Sequence, residues 1–199
     1  MVPAEPFVPA SAAPAPDDKN FLFDALIARV ERQPPRFRLL VVIEHIHMLQ
    51  GAFMGMLQPG SPLIDYDEGT VPFWGDGKQP IELTTVEDTA RMTARVALDR
   101  DVPSGKFAFA GDRLSFQQVA DIAEAQTGKT FKRHSLGNEQ QLRSKMKQIA
   151  ASDPGQAIML AYQLYMLNGQ TSLDDLQSDR YPDLGLQTYA SFLAEQLVD

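Results

Sequence analysis

Apolar and polar positions recur at helical spacing from Asn20 until Pro34-Pro35 stops the run, which predicts a helix over 20–33. Ahead of it, Pro3, Pro6, Pro9, Pro14 and Pro16 are spaced among Ala and Ser. Proline removes backbone donors, so 1–19 reads as an extended Pro/Ala-rich lead-in. Residues 37–43 are rich in Leu, Val and Ile without alternation, the pattern of a strand covered on both faces. Residues 45–57 are equally apolar up to Pro59-Gly60, so a strand and a helix are expected to share 37–57, with their junction left open.

The second half carries its own punctuation. Thr85 stands at an N-cap position with Asp88 three residues on, and Val86, Ala90, Thr93, Ala94 and Ala97 form one stripe, predicting a helix over 86–99. A short strand is expected at 106–110. Ser115 and Gln118 then make a capping box for a helix that Gly128 ends. After a strand at 130–134, Leu142, Met146 and Ile149 line a helix, and Asp153-Pro154 opens another. Residues 157–167 are apolar nearly all round, which places that helix centrally or in an interface. A last helix is expected over 188–198. Strands alternating with helices of this length point to an α/β fold with parallel pairing.

Composition narrows the function. The 199 residues carry 18 Lys and Arg against 26 Asp and Glu, a net charge of −8, which offers no general basis for phosphate neutralisation, so no nucleic-acid partner is expected. No apolar run is long enough for a membrane helix and the start lacks a secretory pattern, so the expected location is cytoplasmic, with no membrane partner. With Cys 0, disulfides, thiolate metal sites and a Cys nucleophile are all excluded.

Two of the 3 histidines lie in Glu44-His45-Ile46-His47. On a strand, His45 and His47 share a face about 6–7 Å apart. They suit a substrate pocket at the strand's carboxyl end, packing at a strand end, or a pair of metal ligands; nothing nominates a third ligand, so no metal is assigned. Gly75-Asp76-Gly77 is a turn signature, and neither Gly-x-Gly-x-x-Gly nor Gly-x-x-x-x-Gly-Lys occurs. Lys129, Lys132, Arg133, His134, Arg143, Lys145 and Lys147 form a basic cluster that reads first as a solvated face and second as an anion contact. Ser115, Ser135 and Ser144 lack a nucleophile elbow. Met48, Met54 and Met56 beside Phe53 fit either an adaptable pocket or plain core.

The run Phe73-Trp74-Gly75-Asp76-Gly77, followed by Pro80-Ile81-Glu82-Leu83-Thr84-Thr85-Val86-Glu87-Asp88-Thr89-Ala90, resembles the C-terminal part of NmrA-like proteins. These atypical short-chain dehydrogenases/reductases include the isoflavone reductases and aromatic alcohol reductases. Lys106-Phe107-Ala108-Phe109-Ala110-Gly111, Lys132-Arg133-His134-Ser135-Leu136-Gly137 and Asp179-Arg180-Tyr181-Pro182 continue the likeness. Val2-Pro3-Ala4-Glu5 is similar to the segment after the family's fifth strand.

The resemblance implies an α/β fold: the C-terminal portion of an NAD(P)-binding Rossmann-like fold with its substrate-binding helical part, the N-terminal βαβ half missing. Residues 20–199 form the NmrA-like substrate-binding region. Gly51, Ala52, Phe53 and Met54 are similar to the segment that lies against the nicotinamide, which makes them the cofactor-binding candidates, with His45 and His47 for the substrate pocket. Leu26, in Phe23-Asp24-Ala25-Leu26, stands where the family has its active-site Lys, so no catalytic residue is assigned. The expected function is that of a protein related to NAD(P)H-dependent reductases of aromatic or quinone-like molecules, inactive as an isolated chain, with weak or absent binding of NADP or NAD. The alternative is a non-enzymatic dinucleotide-sensing or protein-binding regulatory module. The expected partners are a small aromatic molecule and a second copy or another chain covering an exposed sheet edge.

Overall fold

The computed structural model describes residues 45–198. The lead-in at 1–19, the helix at 20–33, the strand at 37–43 and Leu26 lie outside the described residues.

Within 45–57 the chain is extended and then turns, with no α-helix. Strand β1 (Ile46–Leu49) pairs in parallel with β5 (Gly105–Ala108), setting His47 opposite Lys106. After Gln50-Gly51 the same run becomes β2 (Ala52–Phe53), which changes partner to β4 (Pro80–Thr84), also in parallel. Gly51 makes the change possible: its φ is +73°, and a Cβ there would overlap the Glu82 carbonyl oxygen. A 3-10 turn at Met54–Leu57 follows.

Strand β4 is flanked on its other side by antiparallel β6 (Asp112–Ser115), and β3 (Thr70–Phe73) pairs in parallel with β7 (Lys132–Ser135). The expected parallel pairing therefore holds for three of the four ladders among the described residues.

Each described α-helix starts where a short polar side chain can accept a first-turn N–H. Helix α1 (Val86–Leu98) is capped by Thr85, α2 (Phe116–Thr127) by the Ser115/Gln118 box, and α3 (Glu139–Ile149) by an Asn138/Gln141 box. Helix α4 (Pro154–Leu167) takes Asp153 as cap with Pro154 at its first position, and α5 (Tyr189–Gln196) takes Thr188. Gly128, with φ +68°, closes α2.

The α1 stripe read from the sequence faces the wrong way. Val86 is 68% exposed, Ala90, Thr93, Ala94 and Ala97 are exposed, and the buried face is Asp88, Met92 and Val96. A long-range bond decides this. Asp88 Oδ2 accepts the Gln187 N–H at 2.8 Å, in a strap over 178–188 that lies along α1. Asp99 accepts the Tyr181 hydroxyl at 2.5 Å, Arg91 donates to the Leu184 carbonyl, and Asp112 accepts the Tyr189 N–H at 3.1 Å.

The main core joins Met54, Leu57, Ile64, Val71, Leu83 and Phe131 to Tyr189 and Leu193 of α5. A second cluster centres on Met92, Phe107 and Tyr181, and a third on Trp74, Leu142, Leu160 and Leu164. Helix α4 is not central, as one of its two expected placements had it: Leu160 and Leu164 are buried, whereas Ile158 and Tyr162 are more than half exposed.

Two buried phenols close the main core. Tyr66 and Tyr189 both donate to the Leu57 carbonyl, at 2.9 and 2.8 Å, with their oxygens 3.0 Å apart. Burial pushes both hydroxyls above their ordinary pKa; the neighbouring phenol raises Tyr189 further and partly offsets the rise at Tyr66. Groups whose pKa is raised by folding stabilise the fold below their unfolded value and lose that contribution as pH rises through the folded one. Stability measured by urea unfolding should therefore fall as pH climbs past about 10, the ordinary tyrosine value. Tyr189→Phe should cost about 1 kcal/mol, one net hydrogen bond, and blunt that alkaline loss, whereas Tyr189→Ala should cost about 3–5 kcal/mol through the cavity it leaves.

Candidate functional site

A groove of about 410 Å³ opens at the carboxyl end of β2, within the size range of small-molecule sites. Phe53 ends the strand into it, the turn supplies Gly55 and Met56, the loop that follows supplies residues 58–63, and Met159 reaches it from α4. The loop is fixed locally: Ser61 Oγ donates to the Met56 carbonyl at 2.6 Å, its N–H bonds the Gln58 carbonyl at 3.1 Å, and Gly60 turns with φ +81°. Gln58 and Ser61 are the polar members of the wall, and none of the lining residues titrates near neutral pH. Such a groove can bind and orient a flat apolar molecule, but it offers no side chain for proton transfer.

The four cofactor candidates divide. Gly51 is exposed at the change of partner, and Ala52 opposes Leu83 in the ladder. Phe53 lines the groove. Met54 is fully buried, so its side chain supports the groove from the core. Of the three methionines weighed together, only Met56 reaches the groove; Met48 packs against the second cluster.

The structure does bring His45 and His47 together, with ring centroids 4.7 Å apart in an edge-to-face arrangement. They stand at the start of β1, however, and line neither the groove nor the cavity behind it. About 13 Å of strand separates His47 from Gly51. Burial, then the charges of His45 and Lys106, hold the His47 imidazole below its ordinary pKa, so it is neutral at pH 7. Among the described residues no group of three or more His, Asp or Glu is placed to hold a metal.

Sequence reading missed Gln58, Ser61, Leu63 and Met159 as groove residues. Pro59-Gly60-Ser61-Pro62 was the available signal, a turn at a strand end. The basic cluster is largely engaged: Arg133 pairs with Glu124 and Asp121, Arg143 with Glu139, Lys129 donates to the Tyr66 carbonyl, and Lys145 lies 6.0 Å over the Trp74 ring. The serines are also in use, Ser115 as a cap, Ser135 donating to Gly75 and Ser144 to Gln140.

A dinucleotide needs open backbone N–H groups, commonly at a helix start, to cradle its pyrophosphate. Among the described residues every α-helix start is occupied by its own capping side chain, and α1 and α3 carry acidic residues in the first turn. The described α-helix starts therefore present no open cradle for a pyrophosphate. Among these residues no helix is long and apolar enough to cross a membrane.

Glu82 lies next to the Gly51 change of partner. Its side chain is 2% exposed, and Arg113 Nε stands 3.0 Å from Oε1. Burial raises its pKa; the backbone bonds at Glu82 and Leu173 and the charge of Arg113 pull it back, and Asp174 adds to the rise. A carboxyl raised by folding contributes stability below its ordinary pKa and loses it as pH rises through the folded value. Glu82→Gln should accordingly raise Tm at pH 7, with an advantage that shrinks in acid. Gly51→Ala should cost about 2 kcal/mol or more, because both its positive φ and the Glu82 backbone oppose a Cβ. Gly60→Ala, with open space around it, should cost about 1 kcal/mol in the same denaturant titration.

No protein-family model and no curated protein matches the sequence. Solved structures do share its fold. A leucoanthocyanidin reductase from Vitis vinifera in binary complex with NADPH aligns over 93% of this chain and 62% of its own, with a TM-score of 0.69 at 15% identity. An isoflavone reductase aligns over 92% and 60%, with a TM-score of 0.65 at 18% identity. A nucleoside-diphosphate-sugar epimerase from Staphylococcus aureus aligns over 79% and 55%, with a TM-score of 0.58 at 20% identity. The chain thus spans between 55% and 62% of the length of these structures. Its fold is the α/β fold of the carboxyl-terminal part of isoflavone reductase-type chains.

Proposed function

We propose that this chain is the substrate-binding part of an NAD(P)H-dependent reductase acting on an aromatic or quinone-like small molecule, and that it is inactive by itself. The observation that carries this reading is the apolar, non-titrating groove at the end of β2. Ligands of open α/β sheets sit beyond the carboxyl ends of strands, and reductases with this fold supply the chemical context. Phe53, Met56, Leu63 and Met159 would grip the ring system, while Gln58 and Ser61 would orient a polar substituent. NADPH or NADH would supply the hydride.

Pyrophosphate binding would come from a separate dinucleotide-binding portion, because the 199 residues contain no Gly-rich loop and the described helix starts are self-capped. That portion is the partner this reading requires. The exposed Ile158 and Tyr162 of α4 add apolar surface beside the groove residue Met159.

The test is a calorimetric titration with NADPH alongside an assay of NADPH oxidation with aromatic aldehydes and quinones. The chain alone should show no saturable NADPH binding below millimolar concentrations and no turnover, and activity should appear when a dinucleotide-binding portion is supplied in trans. Micromolar binding or steady turnover by the purified chain would contradict the proposal.

A further inference from the structure

A second cavity lies behind the groove and shares Pro62 and Leu63 with it as a common wall. Its volume is about 120 Å³. Cavities of about 150 Å³ lined only by aliphatic and aromatic side chains stay dry and admit benzene. This one has aromatic walls from Phe73, Trp74 and Phe116, and it differs from a plain apolar void in holding two amides, Gln79 and Gln163.

The amides have capacity to spare. Gln163 Oε1 accepts the Trp74 Nε1–H at 2.9 Å, which fixes the indole and commits one side of the amide. Among the described residues the Gln163 NH2 group and the Gln79 side chain bond no other protein group. A ring that filled the apolar part would bring a substituent within reach of donors and acceptors already held in place. Leu136, 41% exposed, and exposed Pro62 belong to the same wall and mark its rim.

We propose that this cavity is a binding site for a compact, single-ring aromatic molecule carrying one hydroxyl or carbonyl group. The ring stacks among Phe73, Trp74 and Phe116, and the polar substituent bonds Gln79 or Gln163. The volume matches a single ring. The inference does not rest on the reductase reading, since it uses a different cavity and needs no cofactor.

Trp74 is the only tryptophan of the chain, so its emission reports occupancy directly. The probes are phenol and toluene, titrated separately into the full chain. Phenol should change Trp74 emission saturably and bind about fivefold to tenfold tighter than toluene, the worth of one hydrogen bond. Replacing both amides, Gln79→Leu with Gln163→Leu, should remove that preference, and Leu136→Phe, a rim substitution that leaves the core intact, should abolish saturation. NMR on the unaltered chain should give intermolecular NOEs from the phenol ring to Trp74 and Phe116. Linear, collisional quenching equal to that of free tryptophan would overturn the proposal, as would equal affinity for phenol and toluene or saturation unaffected by Leu136→Phe. NOEs confined to Phe53 and Met159 would place the guest in the groove, overturning this site while leaving the proposed function standing.

Discussion

One backbone carbonyl, that of Leu57, sets the geometry on which the groove depends. It takes a hydroxyl from Tyr66, nine residues on, and another from Tyr189, 132 residues on. Burial makes this arrangement obligatory: a phenol taken out of water without an acceptor costs free energy, and a carbonyl has two lone pairs to offer. The consequence is that α5, near the end of the described chain, is docked on the Met54–Leu57 turn, whose Gly55 and Met56 wall the groove. Asp112 and Asp88 bring α5 to that place by holding the Tyr189 and Gln187 N–H groups.

Among the described residues several polar side chains are committed to the chain's own backbone. Thr85, Ser115, Asn138, Asp153 and Thr188 cap helices, and Asp88, Asp99 and Asp112 secure the strap. What lines the groove and the cavity is apolar surface with three amides and the Ser61 hydroxyl. That division suits recognition and orientation of an aromatic molecule, with the redox chemistry supplied by a cofactor.

Helices were legible in the sequence because their signals are local. The caps at Thr85, Ser115 and Asp153 lie within one turn of what they stabilise, and all three were read correctly; Thr188 was read as the first residue of the last helix and is its cap. The buried face of α1 was not legible, since Asp88 is drawn inward by Gln187, 99 residues away, and the apolar stripe was left in solvent. Strands β3, β4 and β6 escaped for a related reason. They are four or five residues long, two contain Pro, and their partners lie far along the chain. The groove was half legible. Phe53 and Met56 were named as pocket candidates, but Met159 joins them only through the packing of α4. His45 and His47 were read as neighbours on one face and are, yet the strand that carries them begins at Ile46, which sets them away from the groove.

The central claim is that the two phenols on Leu57 hold the groove in shape, and amide hydrogen exchange read peptide by peptide tests it most directly. In Tyr189→Phe, exchange should accelerate over 54–63 and over α5, while α3 and the β3/β7 pair keep the protection of the unaltered chain. Uniform acceleration across every element would reduce the bond to a contribution to global stability, and no change over 54–63 would contradict the claim.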